Sequence, residues 1–257
     1  MSELIRDGVR LAYEEAGATE PAIVFVHGWT CDRSHFAAQV ARFSADHRCV
    51  SVDLRGHGAS DAPEQAYTID GFADDVGWVC DQLGVKGALL VGHSMGGAIV
   101  LALAAKRPDL ARAVAMLDPA ILFPEAMKPL AAQLSSAFAA PGGMEAVKHF
   151  GESQFFLASS DAALKERVLA AMVRTPQHVV ASAMGNLANF DSEAALRAAK
   201  APLLYVGAEP VISEISKLPE LAPGTIVART AGSGHFHQLE VPDQINAMLS
   251  RFLQVVG

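Results

Sequence analysis

Cysteine is scarce in this chain: Cys31, Cys49 and Cys80 are three in 257 residues, an odd number without a C-x-x-C pair. That excludes a disulfide framework and predicts reduced thiols in a reducing compartment. Long apolar runs are missing too. The longest such stretches are interrupted by His93, Ser94 and Asp118, so no membrane span is expected. The start, Met1-Ser2-Glu3-Leu4-Ile5-Arg6-Asp7-Gly8, has no apolar segment of the secretory kind, which makes a cytoplasmic location the expectation. Basic residues are outnumbered, 20 Lys and Arg against 28 Asp and Glu, and the formal charge of −8 is the wrong sign for gripping phosphates. No nucleic-acid partner is expected. H-E-x-x-H, any His/Asp/Glu set with metal-ligand spacing and a Gly-rich dinucleotide fingerprint are all absent, so neither metal nor cofactor is expected. There is no internal repeat or low-complexity region.

What is present reads as alternating strands and helices. Glu3 to Arg6 and Val9 to Glu15 flank Asp7-Gly8, a two-residue turn signal, and predict a hairpin. Ala22 to Val26, Cys49 to Asp53, Ala88 to Val91 and Ala113 to Leu117 are short apolar runs suited to strands buried on both faces. Ser34 to Ala45, Thr68 to Leu83 and Met95 to Lys106 carry helical spacing between them. This predicts an α/β fold with a mostly parallel, doubly wound sheet, whose ligands bind at the strand carboxyl ends. His27, Asp53, Ser94 and Asp118 all fall at such ends. From 120 to 191 the alternation gives way to four helical stretches, the last predicted to start at the cap pair Thr175-Pro176. Strand signals return at Leu203 to Val206 and Thr225 to Ala228, and an amphipathic helix closes the chain from Gln244 to Val255.

Gly92-His93-Ser94-Met95-Gly96 lies between the strand ending at Val91 and the helix from Met95. That is G-x-S-x-G in its strand-turn-helix setting, where small residues at 92 and 96 let the backbone turn sharply enough to raise Ser94 Oγ toward substrate. The Met95 N–H then opens a helix and can face an oxyanion. Val24-Phe25-Val26-His27-Gly28-Trp29 places the Trp29 N–H as a second such donor. A serine hydroxyl needs a base, and Gly234-His235-Phe236-His237 sets His235, with His237 as rival, on a loop before the last helix.

With Ser first and His last, the chain resembles the α/β-hydrolase superfamily, and the resemblance covers nearly its whole length. Val52-Asp53-Leu54-Arg55-Gly56-His57-Gly58 and the Gly-His…Glu-x-Pro pattern at 234 to 242 look like those of the esterase, enol-lactonase and C–C hydrolase branches. The resemblance implies a core of residues 1–119 and 192–257 with a helical cap, 120–191, inserted after the sixth strand. It favours His235 over His237 as base. For the orienting acid it leaves two positions, Asp118 after the sixth strand, taken first, and Glu209 after the seventh. Asp53 and Arg55 are expected to satisfy one another or nearby backbone. Of the ten Phe and Met residues in the cap most should pack it onto the core, while Phe123, Met127, Phe155 and Met184 are expected to touch substrate.

The expected activity is that of a serine hydrolase on a small, partly apolar ester, lactone or related acyl compound, through an acyl-enzyme on Ser94. Serine at 94 argues against the dehalogenases and epoxide hydrolases of this fold, which use aspartate there. A C–C bond hydrolase, a cofactor-free oxygenase and a ligand receptor with a retained triad stay open as alternatives, and so does the oligomeric state.

Overall fold

The structure is a computed structural model that describes residues 2–211 and 213–256. It opens with the expected hairpin, β1 (Ser2–Arg6) and β2 (Val9–Ala16), joined at Asp7 and Gly8, whose φ angles of 51° and 78° are the left-handed pair of a type I′ turn. Six strands follow: β3 (Ile23–Val26), β4 (Cys49–Val52), β5 (Ala88–His93), β6 (Ala111–Leu117), β7 (Leu203–Gly207) and β8 (Ile226–Arg229). They form one sheet in the order β1-β2-β4-β3-β5-β6-β7-β8. β2 pairs antiparallel with β1 and β4, and the pairs from β4 through β8 are parallel.

Every residue of β3, β4, β5 and β7 is buried, which is why these segments read as unbroken apolar runs rather than alternating ones. On one face lies α1 (Ala37–Phe43), entered through a 3₁₀ turn over Arg33–Phe36 that Asp32 caps, so the predicted helix from Ser34 is two elements. On the other lie α2 (Ile69–Gln82) and α3 (Met95–Lys106), the latter buried along Met95 to Ala104. Four helices then run between β6 and β7: α4 (Lys128–Ala139), α5 (Gly143–Gln154), α6 (Ala162–Met172) and α7 (Gln177–Leu187). α4 packs on α7 and α5, and α5 on α6. α8 (Ser192–Ala198) returns the chain to α3, with the Ser192 hydroxyl accepting the Leu122 N–H at 3.0 Å.

α9 (Leu218–Leu221), α10 (His237–Glu240) and α11 (Pro242–Val256) complete the fold, and α11 buries Ile245, Leu249 and Phe252 against Phe25, Phe36 and Leu89 on the α1 face. Truncating Phe252 to Ala there costs about 3–5 kcal/mol. Two helix starts differ from expectation. α7 is capped by Pro176, whose carbonyl takes the Val180 N–H at 3.1 Å, and not by Thr175, which the following proline holds out of the helix. α11 begins two residues early, at Pro242, because proline's fixed φ suits a first turn.

Candidate active site

Ser94 sits at the β5–α3 turn with φ 55° and ψ −119°, a strained conformation for a residue with a side chain. Its neighbours enforce it. The Ser94 N–H donates to the Leu117 carbonyl at 2.9 Å, and the Ser94 carbonyl accepts from Ala120 at 3.0 Å and Gly97 at 2.9 Å. A Cβ on Gly92 would overlap the Gly96 carbonyl, and one on Gly96 the Val26 carbonyl, so both positions require glycine. The serine is thereby held half-buried on the wall of a 640 Å³ cavity.

His235 lines the same cavity from the loop between β8 and α10. Its Nδ1 lies 2.6 Å from Asp118 Oδ2. An ionised carboxylate only accepts, so Nδ1 carries the proton and a neutral ring keeps its Nε2 lone pair. Asp118 directly follows β6 with φ 41°, and its Oδ1 accepts the Ala208 N–H at 3.1 Å. Burial pushes the Asp118 carboxyl up, but the His235 hydrogen bond and charge outweigh it and hold the group below the usual carboxylate range. Glu209 is exposed at the cavity, and among the described residues its carboxylate has no hydrogen bond or ion pair. His237 is turned away, fully buried with Nδ1 3.2 Å from Thr230 Oγ1.

Trp29 lines the cavity, its indole N–H donating to the Val180 carbonyl at 3.0 Å and its ring stacked on Phe138 at 5.4 Å. The turn that carries it is closed by Cys31 N–H on the Gly28 carbonyl at 3.2 Å. Met95 is the first residue of α3, where a backbone N–H has no carbonyl one turn back in its own helix. Phe123, Met127, Phe155 and Met184 all line the cavity, with Phe150, Leu130 and Leu134 extending its apolar wall. Phe155 also touches His235 directly, ring on ring at 4.6 Å, a contact that no sequence signal announces.

Asp53 and Arg55 do not satisfy one another; of the two expectations for them, backbone bonding holds for Asp53. Asp53 is fully buried and bonds Arg33 through its guanidinium and through its N–H at 2.8 Å, with the Ala59 N–H also at 2.8 Å. Arg55 points to Asp75 at 2.7 Å. Arg33 lies in the 3₁₀ turn before α1 and Asp75 on α2, so the two side chains find partners on different elements. No group of three His, Cys, Asp or Glu suited to a metal occurs among the described residues, and no described helix is long and apolar enough to cross a membrane.

Four histidines around this sheet edge are buried and held neutral by desolvation. That lowers His27 to about 4, His57 to about 3, His237 to about 4 and His93 well below its ordinary value. His27 uses both nitrogens, Nδ1 toward the Gly28 carbonyl at 2.8 Å and Nε2 accepting the Leu54 N–H at 3.0 Å, which ties β3 to β4. Their stability contribution is present above the unfolded pKa of about 6.5 and is lost as pH falls toward the folded values, because the unfolded chain binds the protons first. The limiting slope for four such groups is about 5 kcal/mol per pH unit. The urea midpoint is therefore expected to drop steeply between pH 7 and pH 5. An unchanged midpoint would mean that these rings are solvated.

The relatives of the chain agree with this architecture. A sequence profile of the α/β hydrolase fold family matches residues 21–242. The 2-(acetamidomethylene)succinate hydrolase of Mesorhizobium japonicum is 40% identical over 98 residues, which are 38% of this chain and only 35% of that protein. The thermophilic esterase of Thermogutta terrifontis superposes with a TM-score of 0.89 over 100% of this chain and 99% of its own, at 23% identity, a likeness of fold. The enol-lactonase of Burkholderia xenovorans LB400 superposes with a TM-score of 0.87 over 98% of this chain and 100% of its own, at 25% identity. With the profile spanning most of its length over an eight-stranded, mostly parallel sheet flanked by helices, this chain belongs to the α/β hydrolase fold family.

Proposed function

We propose that the protein is a serine hydrolase that cleaves small, partly apolar esters or lactones through an acyl-enzyme on Ser94, with residues 120–191 as a cap over the 1–119 and 192–257 core. The observation that carries this reading is the Asp118–His235 bond of 2.6 Å at the wall of the cavity into which the strained Ser94 turn opens. Ser94 Oγ attacks the substrate carbonyl while His235 Nε2 takes its proton. Asp118 keeps the imidazole in the tautomer that leaves Nε2 free and stabilises the imidazolium. The Trp29 and Met95 N–H groups stabilise the oxyanion, each worth about 3–4 kcal/mol in comparable sites. His235 then protonates the leaving alkoxide and deprotonates water, which releases the acid and restores the serine. The relatives named for esterase and lactonase activity support this choice of substrate.

The test is a p-nitrophenyl butyrate burst equal to the enzyme concentration, with fluorophosphonate labelling of Ser94. A protein that gives no burst and takes no label overturns the reading. Tight ligand binding with at most one turnover would point to a receptor.

Charge narrows the substrate further. The cavity holds Asp191, Glu193 and Glu209, and its Lys217 ammonium is engaged by Glu193 at 3.0 Å and Glu214 at 2.8 Å. An uncharged butyrate ester is expected to exceed the matching hemisuccinate in kcat/KM by roughly tenfold at low salt, with the gap closing at high salt as surface charges are screened. Equal rates at low salt would show that the acidic lining does not meet the acyl group.

A further inference from the structure

The contacts around His235 reach beyond Asp118, and they come from the helical insertion. The His235 N–H donates to the Phe155 carbonyl at 2.9 Å, and the Phe155 ring lies on the imidazole at 4.6 Å with 24° between the planes. One residue on, Phe156 stacks on Phe236 at 5.5 Å and 24°. The next tie is polar. Glu240, half-buried, accepts the Gly234 N–H on one oxygen at 3.1 Å and the Ser160 hydroxyl on the other at 2.7 Å, while Ser160 Oγ accepts the Leu157 N–H at 3.0 Å. A Cβ on Gly234 would press on the Phe155 carbonyl at 2.6 Å, so the two segments approach as closely as glycine allows. From the other side, neutral His93 donates Nε2–H to the His235 carbonyl at 2.8 Å.

We infer that the 155–160 turn of the insertion, locked to the 234–240 loop by Glu240 and Ser160, is a positioning element for His235. The inference rests on the reading of His235 as the base for Ser94. An insertion that merely roofed the cavity would dock through apolar side chains. Here it bonds the backbone of the proposed base and stacks on its ring. A general base must be aligned within a few tenths of an ångström, and a displacement near 1 Å costs up to about a hundredfold in rate. Asp118 fixes one nitrogen of the ring. The His235 main chain is held on both sides, its N–H on the insertion and its carbonyl on His93 beside the nucleophile. Glu240 and Ser160 act through that loop and do not line the cavity.

The full-length chain tests this in two assays, the rate of fluorophosphonate labelling of Ser94 and the steady-state hydrolysis of p-nitrophenyl butyrate, both well below the melting temperature. Glu240→Ala is expected to lower kcat and the labelling rate by roughly tenfold or more with KM within about twofold, because the acylating group is misplaced and the cavity is not. Glu240→Gln should restore most of the rate, since the amide keeps an acceptor for Gly234 and a group for Ser160. Adding Ser160→Ala to Glu240→Ala should cost little more. Should Glu240→Ala not fold, Ser160→Ala and Phe155→Leu carry the same test, and both must slow labelling. Normal labelling in a folded Glu240→Ala, or failing that in either of those variants, overturns the inference while leaving the serine hydrolase reading intact. An unlabelled wild-type protein overturns that reading and this inference with it.

Discussion

Ser94→Ala and His235→Ala are each expected to lower kcat by roughly four to six orders of magnitude, and the double variant to lose little more than either alone. The expectation follows from their working as one unit: without the base the serine is a weak nucleophile, and without the serine the base has nothing to activate. Stability separates this from damage to the fold. Ser94→Ala keeps a Cβ at the φ 55° turn and removes one hydroxyl, so the strain there is unchanged. His235 is held largely through its main chain, by Phe155 and His93, and those bonds survive truncation of the ring. Melting temperatures should stay near that of the parent while the steady-state assay collapses. A double variant far slower than both singles would show that the two side chains act independently, which a shared proton transfer forbids.

Asp118→Asn should lower kcat by roughly two to four orders of magnitude, against less than about tenfold for Glu209→Gln. The Asp118 carboxylate accepts from two donors at once, the His235 ring at 2.6 Å and the Ala208 N–H at 3.1 Å. An amide of the same shape has one acceptor oxygen and turns its NH₂ toward one of these donors. Either the imidazole is left in the wrong tautomer or a buried N–H loses its partner. The first shows as lost turnover with a near-parent melting temperature, the second as lost melting temperature. Both must be measured, and the assignment stands on the first. A crippled Glu209→Gln beside a nearly silent Asp118→Asn would move the acid to the loop after β7.

Much of the architecture was readable residue by residue because it rests on short-range rules. The Asp7-Gly8 turn, the apolar runs of β3, β4 and β5, and the glycines flanking Ser94 each need a conformation that only a few residue types allow. Where neighbours compete, local signals lost. Thr175 has the chemistry of a helix cap, yet Pro176 follows it and takes the position. Asp53 and Arg55 are close in sequence and opposite in charge, yet burial against Arg33 and Asp75 separates them.

The sequence by itself determined the β/α order, the Ser94 turn and the set of strand ends at which polar groups gather, since periodicity and glycine spacing act within a dozen residues. It left two carboxylates able to orient the histidine, Asp118 taken first and Glu209 second, because both follow strands that point at the same cavity. Only tertiary structure decided which of them meets the histidine. Parallel pairing of β6 with β7 brings Asp118 across 117 residues of chain to His235 and leaves Glu209 exposed at the cavity. Packing of the insertion decided that Phe155, expected from the sequence only to touch substrate, lies on the imidazole itself. Contacts across such distances depend on strand register and helix packing summed over the whole chain, and no local pattern of residues records that sum.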